Sequence, residues 1–332
     1  MGDPRVVVVG GGYAGATIAT SLDAVADVTR VEPKDSFVHA TGALRAAVDA
    51  SWEDRVFFPY DRLLARGRVV HEYAQAVTST QVRVPAGRVL DADYLVLATG
   101  TAYPFPAKFI ESDVAVAKAR LARLRESLRG ARAVMIVGAG PVGLELAGEL
   151  PSAFPALELT IVDRAQDVLT TGDYLPQLRS AIRSQLEDRG VVFELGSQLG
   201  YLLPVDVGVL APFTVHTRAG RRIDADMWFR CCGNTAVTDY LVGDLASARQ
   251  PDGRIAVAPT LSIPGFPTVF AIGDITDIPE TKRASAAIAH AHVAAANIRA
   301  LIDGREPSAI KGADLYSTAM AELFGRVPGA AA

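Results

Sequence analysis

Four consecutive valines, Val6 to Val9, run straight into Gly10-Gly11-Gly12-Tyr13-Ala14-Gly15. An apolar run this short suits a strand buried on both faces, the interior strand of a parallel sheet. The G-x-G-x-x-G spacing then requires a strand, a tight turn and a helix. Gly10 permits the turn, Gly12 lets backbone approach a pyrophosphate, and Gly15 lets the helix pack close. The helix N-terminus, with Tyr13 and Ala14 in its first turn, would face the phosphates. A second strand, 27–31, ends in Glu32, where an acid meets a ribose hydroxyl, and Pro33 and Lys34 open the polar loop that follows. Together these make one β-α-β dinucleotide-binding unit.

The pattern occurs twice. Residues 133–137 (Ala-Val-Met-Ile-Val) lead into Gly138-Ala139-Gly140-Pro141-Val142-Gly143, a helix is expected over 144–150 with a stop near Pro151, and strand 157–162 ends in Asp163. One such motif arises cheaply by chance; two, each with strand, helix and terminal acid in register, do not. Between the units, 94–100 reads as a buried strand ending in Gly100, and 68–73, 76–84 and 88–91 read as a small meander. A helix is expected over 117–129. Beyond the second unit, a helix spans 173–189, strand 191–194 follows, and 198–217 reads as a broken meander. Strand 227–232 ends in Gly233, echoing Gly100. The last buried strand, 268–274, carries Asp274 at its tip, and an Ala-rich helix covers 283–301.

The chain's 332 residues leave room for about two domains, and a formal net charge of −4 argues against nucleic acid as a partner. The only cysteines, Cys231 and Cys232, are adjacent, so neither a disulfide framework nor a metal site is expected. No charge-free apolar run reaches bilayer length, and a strand begins too early for a signal peptide. A reduced, cytoplasmic setting is expected, with at most peripheral contact at the inner membrane face. His290 and His292, two apart on a helix, point to different faces and do not suit a shared metal; a structural histidine is expected.

The order G-x-G-x-x-G, Ala98-Thr99-Gly100, G-x-G-x-x-G, then Gly273-Asp274 resembles the flavoproteins with two dinucleotide-binding domains, the pyridine nucleotide:disulfide reductase superfamily. Asp35-Ser36-Phe37, Ala43-Leu44-Arg45 and the stretch from His290 to Asn297 resemble its apoptosis-inducing-factor-related branch, the NAD(P)H:quinone oxidoreductases of the ferroptosis-suppressor type. The resemblance implies an α/β fold of two Rossmann-like domains with small antiparallel meanders, the second inserted in the first. It places FAD on 1–108 and 248–304, NAD(P)H on 109–247, and a shortened C-terminal segment over 305–332. Within that last segment, 310–315 and 322–325 match the family's final stretch, but the connection to it is short.

Carried over residue by residue, Gly10, Gly12 and Gly15 would cradle the FAD pyrophosphate and Glu32 the adenosine ribose. Thr99 and Gly100 would close over the cofactor, and Asp274 would hold the ribityl chain. Arg45 falls where the branch sets an arginine near the flavin; a surface cation beside Asp49 is the other reading. Gly138, Gly140 and Gly143 would take the NADH pyrophosphate, with Gly233 beside that nucleotide. Glu145 matches an acid near nicotinamide and flavin. Asp163 would accept from the ribose 2′-hydroxyl of NAD and repel the 2′-phosphate of NADP, while Arg164 would leave NADPH usable.

The thiol pair spaced C-x-x-C or C-x-x-x-x-C that disulfide reductases need is absent, and Cys232 stands where a family C-T-G has threonine. The expected activity is hydride transfer from NADH to FAD and onward to a quinone or other small electron acceptor. Two alternatives stay open: a ferredoxin or rubredoxin reductase docking through the 117–129 arginines, and a redox-sensing flavoprotein with little turnover.

Overall fold

The computed structural model describes residues 2–172, 174–201, 203 and 205–309. The C-terminal stretches 310–315 and 322–325, and Asp173, lie outside the described residues. The chain forms two compact units. The first gathers Met1–Phe37, Pro59–Ala102 and Thr235–Ala332; the second gathers Val38–Phe58 and Tyr103–Asn234. Residues 38–58 and 103–108 thus cluster with the second unit and 235–247 with the first, whereas the linear boundaries of the sequence reading put them the other way. The reason for 38–58 is apolar packing: Ala43, Leu44, Val48 and Phe57 share a core with Leu121, Leu128, Leu144 and Phe229.

The first unit is built on a six-stranded sheet. Arg5–Val9 lies at its centre, with Asp27–Val31 and then Arg68–Val70 on one side, and Tyr94–Leu97 and then Phe266–Ala271 on the other. All five run parallel; Ser262–Ile263 closes the edge antiparallel. Both faces of the valine strand are buried. Val6 and Val8 meet Ile18, Leu22, Ala291 and Ile298 of helices Tyr13–Leu22 and Ala284–Ile302, while Val7 and Val9 pack with Leu95, Leu97, Tyr240 and Leu245. Each fully buried aliphatic side chain contributes about 1.5–3 kcal/mol, which is why an uninterrupted valine run is tolerated here.

The second unit repeats the plan with four parallel strands in the order Val191–Glu194, Glu158–Val162, Ala133–Val137, Met227–Arg230. Helix Val114–Gly130 starts three residues earlier than expected because Asp113 caps it, accepting from the Ala115 and Val116 amides at 2.7 and 3.2 Å. Its arginines are largely paired with the unit's own acids: Arg120 with Glu111, Arg125 with Glu53, Arg129 with Glu126.

Further elements differ from the sequence reading. Arg68–Val70 joins the parallel sheet beside Asp27–Val31, so the meander is only Ala76–Val77, Gln81–Arg83 and Val89–Asp91. Pro151 does not stop its helix, which spans Pro141–Ala153. Proline removes one N–H in the last turn, and the Phe154 amide closes the end on the Leu150 carbonyl at 2.8 Å. The helix expected from 173 runs over Pro176–Glu187, with Pro176 at its first position. Among the described residues no helix is long and apolar enough to cross a membrane.

Candidate dinucleotide sites

In the first unit the valine strand ends at Val9 and the chain turns at Gly10, whose φ is +111°. A side chain there would meet the Ala98 carbonyl oxygen at 2.4 Å, and one at Gly15 would meet the Gly10 oxygen at 2.1 Å. Both glycines are forced by backbone in contact with backbone. Gly12 differs, since a Cβ there would find no protein atom within 4 Å. The turn is therefore closed by protein on its inner side and open at Gly12, where helix Tyr13–Leu22 presents its first amides. That arrangement suits a phosphate.

Glu32 sits beside the turn at the end of the second strand, only 7% exposed. Its carboxylate accepts from the Lys34 amide at 3.1 Å, and Lys34 Nζ lies 3.7 Å away. Pro33 is carried between them. Tyr13 packs edge-on to Phe37 with ring centroids 5.1 Å apart. Thr99 donates its hydroxyl to the Val237 carbonyl at 2.5 Å and lies 2.9 Å from the Tyr240 hydroxyl. Gly100 follows with φ +66°. Asp274, in the turn after Phe266–Ala271, accepts from Thr101 Oγ1 at 3.3 Å. The predicted residues that lie in the first unit thus gather at the C-terminal ends of its parallel strands, where open α/β sheets bind ligands.

The second unit repeats the glycine geometry. Gly138 has φ +118°, a Cβ there would meet the Cys231 oxygen at 2.5 Å, one at Gly143 would meet the Gly138 oxygen at 1.9 Å, and Gly140 faces open space. Pro141 and Val142 open the helix. Asp163 accepts from the Ala139 amide at 2.6 Å and from the Ala165 amide at 2.8 Å; Arg164 beside it is exposed. Gly233, φ +80°, ends the segment after Met227–Arg230. Cys231 is buried, and burial pushes its thiol up to about 12. It packs under the turn and carries no thiolate chemistry at neutral pH.

Glu145 and Glu149 stand one helical turn apart on Pro141–Ala153, and Arg45 forms an ion pair with Glu149 while lying over the Trp52 ring at 5.5 Å. The Glu145 carboxyl is crowded though it reaches solvent. Its own partial burial and the Glu149 charge push it above the ordinary value, against the opposing effect of Arg45. Arg45 therefore lies in the second unit, engaged with that unit's acid.

Sequence motifs did not flag several neighbours of the first turn. The Tyr60 hydroxyl donates to the Gly11 carbonyl at 2.7 Å, although 49 positions separate them. Arg30, fully buried on the second strand, lays its guanidinium 3.5 Å from the Tyr60 ring centroid and is attracted to Glu32. Only the oddity of an arginine in an apolar strand pattern signals it.

A model of the pyridine nucleotide-disulphide oxidoreductase family matches residues 4–297. The chain belongs to this family. It is 30% identical over 302 residues to ferroptosis suppressor protein 1 of Homo sapiens, covering 89% of this chain and 80% of that one. It is 27% identical over 318 residues to apoptosis-inducing factor homolog B of Dictyostelium discoideum, covering 91% and 82%. The structure of a water-forming NADH oxidase from Lactobacillus brevis, bound to NADH, superposes with a TM-score of 0.73 at 19% identity over 92% of this chain and 70% of that one, a likeness of fold. The chain is an FAD- and NAD(P)H-dependent oxidoreductase with two Rossmann-like units.

Proposed function

We propose that this protein is an NADH:quinone oxidoreductase, in which Gly10, Gly12, Gly15 and Glu32 hold FAD and Gly138, Gly140, Gly143 and Asp163 hold NADH. The paired glycine turns support the cofactor assignment: each is sealed by protein on one side, open at its central glycine, and matched to a strand-end acid. FAD, when bound, supplies the hydride acceptor and the two-electron store. The residues supply position. Tyr13, Ala14, Pro33, Lys34, Thr99 and Gly100 complete the first cradle, and Asp274 takes the ribityl hydroxyls. Pro141, Val142 and Gly233 complete the second. Asp163 keeps lone pairs for the ribose 2′-hydroxyl beyond the two it gives to backbone amides, and its charge disfavours a 2′-phosphate. Glu145, on the helix that the second turn launches, has its carboxyl pushed above the ordinary value by partial burial and the Glu149 charge, and is the acid we assign beside the nicotinamide.

The observation that carries the acceptor is the state of the thiols. Cys231 is buried with its thiol pushed up, Cys232 is adjacent to it, and no second pair exists, so electrons leave without a dithiol relay. A small organic acceptor fits, and the family branch resembled by the sequence uses quinones. Arg120, Arg125 and Arg129 are ion-paired within their own unit, which weakens but does not remove that helix as a dock for an acidic iron–sulfur protein, since Arg123 is exposed.

The test is an absorption spectrum of the purified protein before and after anaerobic NADH, then after a soluble quinone. Flavin bands that bleach and return support the proposal. Bleaching without return removes quinone as acceptor, and no flavin bands after FAD addition removes the proposal altogether.

A further inference from the structure

The Gly273–Asp274 turn is held from beneath by a closed ring of side chains within the first unit. Gly273 has φ +74°, and its amide donates to Nδ1 of His290 at 3.1 Å. His290, on helix Ala284–Ile302, is fully buried. Its Nε2 lies 3.0 Å from Oε1 of Glu280, an ion-pair distance at which neither buried atom has a well-aligned hydrogen-bond partner. Lys282 Nζ stands 3.9 Å from the same oxygen and donates to Thr276 Oγ1 at 3.1 Å. The Thr276 hydroxyl in turn donates to the Gly273 carbonyl at 3.0 Å, which closes the ring. Both polar backbone groups of Gly273 are thereby fixed, one through the imidazole and one through the threonine.

The donor and acceptor roles leave one assignment for the imidazole. Nδ1 accepts, so it carries a lone pair, and the single proton of the neutral ring sits on Nε2, facing the Glu280 carboxylate. Burial of Glu280 opposes its ionisation, but the contact with His290 and the charge of Lys282 outweigh this and hold its carboxyl below the ordinary range. The charge of an ionised Glu280 3.0 Å away favours the proton on Nε2. Only in that tautomer is Nδ1 free to accept the Gly273 amide. Asp274 is the next residue, and its carboxylate direction follows from the peptide that the ring clamps.

We propose that His290 is the positioning residue of the flavin site, holding the Gly273 amide so that Asp274 meets the cofactor, with Glu280 setting the tautomer. This rests on the reading of Asp274 as the ribityl ligand. His290 acts through the Gly273 amide, and Glu280 through His290.

The experiment measures FAD binding to full-length apo-protein by flavin fluorescence quenching, in wild type, D274A, H290N, H290Q and E280A. Asn places Oδ1 where Nδ1 stands and can accept the Gly273 amide, whereas Gln places its polar group toward Glu280 and cannot. The expected result is that H290N stays within about threefold of wild type while H290Q weakens binding on the order of tenfold or more, the effect of leaving a buried amide without an acceptor. E280A, which frees the tautomer but leaves the imidazole, is expected to weaken binding several-fold. Equal weakening by Asn and Gln would mean the ring only fills space and would overturn the proposal, as would wild-type affinity in both H290Q and E280A. If H290Q does not fold, shown by the thermal midpoint of its apo form, E280A and H290N decide alone: wild-type affinity in E280A, or an Asn variant as weak as D274A, overturns it. Full affinity in D274A would instead overturn the role of Asp274 itself, whatever the histidine variants do.

Discussion

Within the three residues that make each bend, 10–12 and 138–140, the two units differ at one position. Gly11 in the first turn corresponds to Ala139 in the second, and the surroundings explain the exchange. At Gly11 a Cβ would fall 2.5 Å from the Tyr60 hydroxyl and 2.6 Å from Glu32 Cγ. In the second turn the acid is one methylene shorter, so Asp163 binds the Ala139 amide directly at 2.6 Å and leaves room for a methyl group. The first turn is instead held by Tyr60 through the Gly11 carbonyl. A longer acid thus costs the first turn its side chain at this position and brings in a tyrosine from a distant segment. The shorter acid locks its own turn.

The largest test breaks one turn and spares the other. Gly15→Ala places a Cβ 2.1 Å from the Gly10 oxygen, and Gly143→Ala places one 1.9 Å from the Gly138 oxygen. Each clash is with backbone and costs about 3 kcal/mol or more. G15A is expected to purify without flavin. G143A is expected to keep its flavin bands but lose bleaching by NADH, read by stopped-flow absorbance. Flavin loss from both variants equally would show that the two cradles are not assigned to separate cofactors.

What the sequence alone made legible follows from which contacts are local. Strand, turn, helix and terminal acid lie within about thirty positions, so Gly10 to Glu32 and Gly138 to Asp163 could be read as units, and the buried strands 94–97 and 133–137 betrayed themselves by unbroken apolar runs. Arg68–Val70 was misplaced because a three-residue edge strand has the same pattern whether it joins a meander or a parallel sheet. Pro151 misled because a proline near a helix end removes one bond without ending the helix. Tyr60, Arg30 and the ring beneath Gly273 were invisible, since their partners are fixed by tertiary packing and no spacing rule links positions 11 and 60.

The next test concerns the acid that locks the second turn. Asp163→Asn keeps the shape but replaces one acceptor oxygen by an NH2 group, so either the Ala139 or the Ala165 amide loses its partner, a cost of about 1–3 kcal/mol. It also removes the charge that disfavours a 2′-phosphate, while Arg164 remains. Flavin reduction by NADH is expected to slow by roughly tenfold, and the NADPH to NADH ratio of kcat/KM is expected to rise. An unchanged ratio would place the ribose elsewhere.

A smaller effect separates the turns by crowding. Gly11→Ala is expected to lower the urea midpoint by the equivalent of about 1–3 kcal/mol, because Tyr60 and Glu32 must both give way. Adding Tyr60→Phe removes the nearest atom and should recover part of the loss, whereas in wild type Tyr60→Phe costs about 1 kcal/mol by freeing the Gly11 carbonyl. Ala139→Gly is expected to change stability by well under half as much as Gly11→Ala. If the two exchanges proved equal, side-chain crowding would not be what distinguishes the turns.

The smallest effect concerns the helix that each turn launches. Two residues past the last glycine the first helix has Thr17 and the second has Glu145, so an acid there is no requirement of the fold. Partial burial and Glu149 raise the Glu145 carboxyl from 4.5, so the folded chain binds that proton more tightly than the unfolded chain does. Stability then falls as pH rises from the unfolded value through the folded one, and the penalty is fully present above both. Glu145→Gln removes it. The variant is expected to match wild type near pH 4 and to melt slightly higher at pH 8, by a small margin because the side chain reaches solvent. A gain at pH 4 as large as at pH 8 would trace the effect to packing and deny Glu145 a proton it could use. A gain confined to the higher pH, joined to slower flavin reduction by NADH, would show that this helix keeps a costly acid for work that the first helix does not do.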